Sequence, residues 1–259
     1  MRNKAGARLT PAGKRFVRHA TSLVQGWERA RQHIALPLGR EDGISIGGEP
    51  SIWYPLIADW LVWMHRNCPD VALRADIDTP QRLLDRIQDG SLDVATLYNP
   101  PQRTGLVYEL LIEEKLVMVT TSPDGRFNPD QYVYVDWGPS FAANHQAALP
   151  DHMDAPVIVS LGPLALTYIL EVGGAGYFRR GTAAPFLESG DLFLVKDAPA
   201  FSHSAYAVYA AENILARARE GLHIVAQVAL ARKRVNMALH GVMEAFTAIP
   251  PGIENFRQA

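Results

Sequence analysis

The sequence has a single cysteine, Cys68, among its 259 residues. One cysteine excludes an internal disulfide bond and a thiolate metal cluster, and such sparse use is typical of a reducing cytosol. No stretch reaches the roughly 18 consecutive apolar residues of a membrane-spanning helix. Residues 1–10 are basic, and no apolar segment follows them, so the pattern of a secretory signal is missing. These absences predict a cytoplasmic protein.

Catalytic and metal-binding motifs are also missing. The eight histidines show neither HxH nor HExxH spacing, and no GxSxG nucleophile elbow occurs. Asp136 and His145 are candidates for an acid–base pair, but a strand-end carboxylate that caps the following helix is the favoured interpretation of Asp136. Gly173–Gly176 follows a helix instead of a strand, which is the wrong context for a dinucleotide-binding loop. We therefore expect no enzyme, no cofactor and no metal.

The charge that is present is distributed unevenly. The chain carries 25 basic and 27 acidic residues, a net charge of −2. Residues 1–40 hold nine basic residues and one acidic residue, which gives +8, so residues 41–259 carry −10. The composition, with 48% hydrophobic and 20% charged residues, is that of a globular protein with one large or two moderate domains. The sequence thus predicts a short cationic segment attached to an acidic body.

The first predicted element is a long amphipathic helix. Thr10 is a good N-cap, and Pro11 occupies the favoured first helical position. Apolar residues then recur at alternating spacings of four and three, as in an a/d heptad seam: Phe16, Ala20, Leu23, Trp27, Ala30 and Ile34. A helix packed on its own domain is the commoner origin of so short a pattern. Because the segment before it is too small to be a packing partner, we predict a dimerisation helix.

After Gly43 short apolar strands alternate with helices. Strands are predicted over 44–46, 71–77, 93–97, 132–135, 157–159, 192–195 and 205–209, with one or two more between 106 and 121. Helices are predicted over 52–64, 80–88, 139–148, 163–172 and 213–228, followed by a basic amphipathic tail. This alternation is typical of parallel sheets covered by helices, and the turn at Ser122–Gly125 separates two such units.

The candidate binding site lies where strands lead into helices. Ligands of parallel α/β sheets bind outside the carboxyl ends of strands, where helix N-termini present unpaired N–H groups. The candidate ligand-binding residues in these connections are Pro50, Ser51, Thr79, Tyr98, Trp137, Phe141, Ser160, Leu161 and Gly162. Taken singly, serine, threonine or proline at a helix start is more often a simple cap, so only their convergence on one edge favours a cleft.

The chemistry of these connections suits a small carboxylate-bearing ligand. Hydroxyls and helix N-termini bind anions. Trp137 and Phe141 are expected to line the side of the ligand site. Glu49 precedes the first of these helices. It would repel an anion if its side chain pointed inward, and it would stabilise the helix N-terminus if it pointed outward.

Five short motifs follow one another in a distinctive order: Leu9–Gly13, Cys68–Val71, Asp89–Ala95, Glu113–Val119 and Gly173–Tyr177. Together they resemble the LysR-type transcriptional regulators. The corresponding family stretches are a Leu-Thr-x-Ala-Gly segment after the winged helix-turn-helix, a His-Pro-x-Val turn, a Gly-x-Leu-Asp-x-Ala stretch, the hinge strand and a Gly-x-Gly loop. Each motif is weak alone, but the similarity extends over about residues 1–228.

The resemblance implies an α/β fold: a two-lobed effector domain, similar to type 2 periplasmic binding proteins, preceded by a long N-terminal linker helix. Residues 1–40 would hold a remnant of the wing and the linker helix, and 43–228 the effector domain. Lobe I would comprise about 43–114 and 205–228, and lobe II about 115–204. Residues 229–259 would form a helical tail that the family pattern does not explain.

The resemblance also implies a function. An effector would bind between the lobes, with Ser51 as the first-helix hydroxyl, Thr79 as its partner and 160–162 as the second-lobe contact. The regulator would control transcription as a dimer or tetramer that self-associates through the linker helix. By the same resemblance, about fifty residues of the winged helix-turn-helix, including the recognition helix, would be missing from this chain. Arg2, Lys4 and Arg8 would then provide only nonspecific DNA phosphate contacts.

Three alternatives to an intact regulator remain at this point. One alternative is a small-molecule sensor that does not bind DNA and whose natural form has no winged helix-turn-helix. A solute-binding protein of a transporter would share the two-lobed fold, although the cationic heptad helix and the missing signal argue against it. An enzyme on the same scaffold, similar to prephenate dehydratase, would need a catalytic constellation that the sequence does not contain.

Overall fold

The computed structural model describes residues 2–3, 6–7, 9–34, 36–40, 42–150, 154–210 and 218–227. The predicted tail over 229–259, the first part of the helix predicted over 213–228, and Lys4 and Arg8 lie outside the described residues. Across the described ranges, no helix is long and apolar enough to cross a membrane. The same ranges contain no group of three or more His, Cys, Asp or Glu residues that could hold a metal ion.

The first half of the chain contains a short hairpin, a long helix and an alternating α/β segment. Its elements are β1 (Arg2–Asn3), β2 (Gly6–Ala7), α1 (Pro11–Ile34), β3 (Asp42–Gly48), α2 (Ala58–Asn67), β4 (Val71–Ile77), α3 (Pro80–Asp89), β5 (Val94–Tyr98) and β6 (Leu106–Ile112). Helix α2 begins later than predicted because the turn Trp53–Ile57 before it is kinked, with Tyr54 in an extended backbone conformation (φ −123°, ψ 132°). Pro55 in this turn has no N–H with which to continue an α-helical ladder.

The second half repeats the alternation. Its elements are β7 (Lys115–Thr120), β8 (Tyr132–Val135), α4 (Pro139–Ala148), β9 (Val157–Val159), α5 (Gly162–Val172), β10 (Ala175–Arg179), α6 (Arg180–Ser189), β11 (Phe193–Leu194), β12 (Phe201–Ser202) and β13 (Ala205–Ala210). A further helix, α7, extends over 218–227. The sequence did not predict strands β10 and β12 or helix α6.

The strands form two mixed sheets, which we call lobe I and lobe II. Lobe I has the order β4-β3-β5-β13-β6, and lobe II has the order β11-β7-β10-β8-β9, with β12 also paired to β7. In lobe I β3 is parallel to β4 and β5, and in lobe II β8 is parallel to β9 and β10. The predicted two-lobed α/β fold is therefore confirmed, with β13 returning from lobe II to pair with β5 and β6 of lobe I.

Each sheet buries side chains on both of its faces, as expected for sheets covered by helices. In lobe I one face packs around Trp60 and Leu222, and the other face packs around Leu83 and Leu84. The Trp60 indole Nε1 donates a hydrogen bond of 3.1 Å to the Ala218 carbonyl oxygen, which fixes α7 against α2. Two separate cores cover the faces of lobe II.

Helix α1 begins as predicted, since the Thr10 hydroxyl accepts a 3.0 Å hydrogen bond from the Gly13 amide. Part of the helix lies next to α3 and β3 of lobe I. The large apolar residues of the heptad seam are nevertheless exposed: Phe16, Leu23, Trp27 and Ile34. The chain therefore leaves an apolar stripe along α1 uncovered.

Candidate functional site

The carboxyl ends of the parallel strands of the two lobes face each other. Tyr98, the last residue of β5, and Arg179, the last residue of β10, are in direct contact, because Arg179 Nη1 donates a hydrogen bond to the Tyr98 hydroxyl. The guanidinium carbon lies 5.4 Å from the Tyr98 ring centroid. The edge at which ligands of parallel sheets bind is thus the boundary between lobe I and lobe II.

Five residues that carry charge or titrate meet at this boundary: Glu49, Tyr98, Glu114, Arg179 and His203. We call them the inter-lobe cluster. Glu49 follows β3, and Glu114 and His203 lie on the two chain segments that connect the lobes. The His203 amide donates a 2.8 Å hydrogen bond to the Glu114 carbonyl oxygen, which ties the two connections together. The cluster therefore lies next to the hinge between the lobes.

Glu114 and Arg179 form the buried charged pair of the cluster. Arg179 Nη1 lies 4.0 Å from Glu114 Oε2, and the two side chains are 9% and 5% exposed. The Gly181 amide, at the start of α6, donates a 3.2 Å hydrogen bond to Glu114 Oε1. Removing either charge of such a pair destabilises the fold, because the other charge is then buried without a counterion.

Glu49 points into the boundary, which decides between the two orientations that the sequence left open. Its carboxylate accepts a hydrogen bond from the Tyr98 amide. Burial raises the pKa of the Glu49 carboxyl to about 7, although the Tyr98 amide and the charge of Arg179 act in the opposite direction. Glu49 therefore changes charge near neutral pH.

His203 is sandwiched between aromatic rings. It stacks on Tyr98 with ring centroids 4.1 Å apart and planes at 18°, and the Trp137 ring meets it edge-on at 5.1 Å. The side chain is 2% exposed. Burial, together with the charge of Arg179, lowers the pKa of the imidazole to about 3, so His203 is neutral at physiological pH.

The hydrogen bonding of the cluster is incomplete. Both ring nitrogens of His203 and the Nε of Arg179 are buried and have no hydrogen-bond partner. Most buried polar atoms in proteins are hydrogen-bonded, and each exception costs about 1–3 kcal/mol. Unsatisfied donors and acceptors concentrated at a lobe boundary mark a place where a ligand can supply the missing partners.

Three of the predicted ligand-binding residues lie together at this boundary. Tyr98 belongs to the inter-lobe cluster, and Trp137 contacts its His203. The Trp137 ring also covers Gly162, where a Cβ atom would lie 2.2 Å from the indole Cη2. Trp137 Nε1 donates a 2.8 Å hydrogen bond to the Tyr177 carbonyl oxygen, which fixes the ring against lobe II.

The other predicted residues, apart from Phe141, lie in the connections that follow the strands. Pro50, Thr79 and Ser160 are exposed, whereas Ser51 and Leu161 are half-buried. Thr79 occupies the N-cap position of α3, but its hydroxyl makes no cap hydrogen bond. Helices α4 and α5 likewise begin without a side-chain cap. The simple capping role therefore does not account for Thr79.

The structure places Phe141 away from the position that the sequence predicted for it. Phe141 is 3% exposed and packs in the core of lobe II, with its ring centroid 5.6 Å from that of Tyr177 and 5.4 Å from that of Phe201. Phe141 and His145 are four residues apart on α4, so they share the helix face that is turned to the sheet. Phe141 supports the lobe and does not wall the boundary.

The structure gives the hypothetical acid–base pair no support. Asp136 is exposed, and its Oδ1 accepts a 2.9 Å hydrogen bond from the Gly138 amide just before α4. His145 is fully buried, and its Nε2 shares a 2.7 Å hydrogen bond with the Tyr132 hydroxyl. The Asp136 carboxylate thus contacts the backbone just before α4 and does not cap the helix, so the favoured capping interpretation is wrong.

Sequence patterns missed Glu114, Arg179 and His203. The strand that ends at Arg179 was hidden because Gly173–Gly176 was interpreted as a turn and loop. Glu114 and His203 lie in connections that showed no pattern of their own. The sequence offered one signal for Glu114 and His203: each lies where the chain crosses from one predicted lobe to the other.

This geometry defines a class of protein: a two-lobed α/β domain with a buried polar cluster next to its hinge. Residues 39–130 match the family model described as LysR substrate binding domain. The chain is 26% identical over 212 residues to the HTH-type transcriptional regulator HdfR of Escherichia coli, which covers 80% of this chain and 74% of HdfR. Residues 39–130 thus correspond to a LysR substrate binding domain, and most of the chain is similar to a transcriptional regulator.

Solved structures agree on the fold. The regulatory domain of HypT from Salmonella typhimurium in its apo form superposes with a TM-score of 0.60 at 14% identity, and the alignment covers 74% of this chain and 97% of that domain. A full-length cysteine variant of OxyR from Pseudomonas aeruginosa gives a TM-score of 0.56 at 17% identity, over 88% of this chain and 79% of that protein. At these identities the likeness establishes the fold alone.

Proposed function

We propose that this chain senses a small-molecule effector between lobe I and lobe II and controls transcription in the cytoplasm in response to it. The observation that carries the proposal is the inter-lobe cluster, whose buried donors and acceptors are left without partners next to the hinge. A molecule that supplies those partners stabilises one relative position of the lobes. The effector then acts by shifting the population between two arrangements.

The proposed effector site has a wall and a rim. Tyr98, Trp137 and Gly162 form the wall, since they contact the cluster or each other. The exposed or half-buried residues of the connections form the rim: Pro50, Ser51, Thr79, Ser160 and Leu161. The rim hydroxyls supply directional hydrogen bonds, and the wall supplies apolar surface, which is the usual composition of small-molecule sites.

Hydroxyl removal tests the rim. A thermal-shift panel of aromatic and aliphatic carboxylates, amino acids and neutral metabolites should contain a compound that raises the melting temperature of the wild type. We expect Ser51→Ala and Thr79→Val to weaken its binding about tenfold each, because each substitution removes one hydrogen bond. Thr104→Val is the control, since Thr104 is exposed and precedes β6 at the end of lobe I opposite the hinge. Equal binding by all four proteins would contradict the proposed rim.

We further propose that residues 1–40 supply the dimerisation helix and a basic segment for DNA phosphates, and that residues 43–228 form the sensing unit. The exposed seam of α1 supports this division. In a parallel or antiparallel helix pair, such a seam buries its apolar residues against the partner. DNA phosphate contacts by Arg2, Lys4 and Arg8 and the self-association through α1 belong to the same proposal.

Charge placed on the seam tests self-association. We expect Leu23→Glu combined with Trp27→Glu to convert dimers or tetramers into smaller species in sedimentation velocity, because burying two carboxylates in a helix interface is unfavourable. Arg15→Glu is the control, since it adds negative charge at an exposed position of the same helix off the seam. The seam has no role in assembly if both proteins keep the wild-type sedimentation coefficient.

A further inference from the structure

The charges of the inter-lobe cluster do not balance above a pH of about 7, where the Glu49 carboxyl is ionised. Glu49 and Glu114 then contribute two carboxylates, Arg179 contributes one guanidinium, and His203 is neutral. An effector that carried only a carboxylate would add a third negative charge to a buried site. Such an addition is unfavourable, since like charges in a low dielectric repel strongly. The cluster therefore favours an effector that also brings a positive charge.

Glu49 is the group that such a positive charge would meet. Its carboxylate is bound to the Tyr98 amide, and Arg179 influences it only through its charge. The Tyr98 ring stacks on His203, and the Trp137 ring meets His203 edge-on. A buried carboxylate with a single backbone hydrogen bond can bind an ammonium group through an ion pair.

Arg179 and His203 present the complementary feature. The Arg179 Nε–H and the N–H of the neutral His203 ring are buried donors without acceptors. A carboxylate oxygen is the acceptor that a guanidinium binds best, because the hydrogen bond is charge-assisted. These unsatisfied donors distinguish the site from a simple group of acidic residues.

The two features lie around the same residue. Glu49 is bound to the backbone amide of Tyr98, and Arg179 is bound to the hydroxyl of the same residue. The charge of Arg179 also acts on the Glu49 carboxyl. One small molecule that carries an ammonium and a carboxylate on the same carbon atom would therefore meet both groups at a single site.

We infer that the effector is a small α-amino acid, whose ammonium group binds Glu49 and whose carboxylate binds Arg179. The inference rests on the proposed function and names the chemical class of its effector. The side chain of the amino acid would point toward the rim, where the hydroxyls of Ser51 and Thr79 lie. Binding inserts the ligand between a residue of lobe I and a residue of lobe II, which links occupancy to the position of the lobes.

Matched ligands test the inference. Isothermal titration of the full chain compares each L-amino acid with its deaminated acid and its decarboxylated amine. We expect one amino acid to bind at least about tenfold more tightly than either relative, since each relative loses one charged contact. Glu49→Gln should abolish the preference over the deaminated acid. Glu113→Gln, an exposed neighbour of Glu114 with the same change in charge, should preserve it.

The pH dependence supplies a second readout. The ammonium group binds the ionised form of Glu49, whose pKa is about 7 in the free protein. Affinity should therefore fall as the pH is lowered from 8 to 6 in the wild type and stay constant in Glu49→Gln. The other charged or titratable groups of the cluster are Tyr98, Glu114, Arg179 and His203, and the low pKa of His203 keeps its ring neutral over this range.

The outcomes separate this inference from the proposed function. If a deaminated acid binds as tightly as the amino acid and Glu49→Gln leaves the ratio unchanged, the inference is wrong. The proposed function stands in that case, provided that Ser51→Ala or Thr79→Val weakens the acid. If the amino acids fail to bind and another compound of the thermal-shift panel does, the inference is again wrong. If no compound of either set binds, both fail.

Discussion

Replacing Arg179 with alanine is expected to lower the free energy of unfolding by about 3–5 kcal/mol, the usual cost of removing one partner of a buried charged pair. The substitution removes the hydrogen bond to Tyr98 and the countercharge 4.0 Å from Glu114. It also removes the positive charge that acts on Glu49. Glu49 and Glu114 then lose the guanidinium charge that acts on both of them.

Urea denaturation at pH 7.5 measures this effect. Arg180→Ala is the matched control, because Arg180 is the next residue and is exposed. Surface substitutions of this kind change stability by less than about 0.5 kcal/mol. An equal, small loss for both variants would show that Arg179 does not hold the lobes together.

Replacing Glu49 with glutamine is expected to stabilise the protein above neutral pH by about 3 kcal/mol, from a shift in pKa from 4.5 to about 7 at about 1.4 kcal/mol per unit. The folded-state pKa is raised, so the contribution of Glu49 to stability is fully present below pH 4.5. It is lost as the pH rises through 7. Glutamine keeps the acceptor for the Tyr98 amide and cannot ionise. The gain should therefore vanish near pH 4.5 and reach its full size above pH 7.

His203 gives this experiment a characteristic shape. Its folded-state pKa is lowered from 6.5 to about 3, so its contribution is present above pH 6.5 and is lost as the pH falls. Between pH 4.5 and 6.5 the two groups act in opposite directions, and their contributions to the pH dependence of wild-type stability offset each other. Without Glu49, the stability of the variant should fall steadily as the pH is lowered through the same range.

Urea midpoints at pH 5 and pH 8.5 measure the gain in stability from Glu49→Gln and its dependence on pH. Glu113→Gln is the control for the change in charge. A Glu49→Gln variant that is no more stable than the wild type at pH 8.5 would mean that Glu49 is well solvated. A gain of equal size at both pH values would point to a cause other than ionisation.

Much of the fold was predictable because short-range patterns dominate it. The alternation of apolar strands and helices gave most elements of both sheets. The turn at Ser122–Gly125 was wrongly taken to separate the two units, because β7, which precedes it, already belongs to lobe II. The strand Ala175–Arg179 was missed because it follows Gly174 directly and contains Gly176, and glycine is unusual in a strand. A Cβ atom at these two positions would lie 2.6 Å and 2.8 Å from backbone carbonyl oxygens, so the close approach of the neighbouring chain requires glycine there. Helix α6 was missed because it contains Pro185.

The candidate site was predictable only where it follows from topology. The rule that ligands bind at strand carboxyl ends located Tyr98, Trp137 and Gly162, which the structure brings to one boundary. Phe141 was misplaced because the rule does not tell which face of the following helix is buried. Glu114, Arg179 and His203 converge from separate parts of the chain, and only tertiary packing brings them together. The orientation of Glu49 was likewise undecided until its contact with the Tyr98 amide was seen.

The central claim is that an effector binds between the lobes at the inter-lobe cluster, and ¹⁹F NMR of 5-fluorotryptophan-labelled protein tests it most directly. The five tryptophans give separate probes, and Trp137→Phe assigns the signal of the residue that contacts His203. Addition of a ligand that raises the melting temperature should shift the Trp137 resonance and leave that of Trp60, in the core of lobe I, unchanged. A ligand that leaves the Trp137 resonance in place while it stabilises the protein would contradict the account.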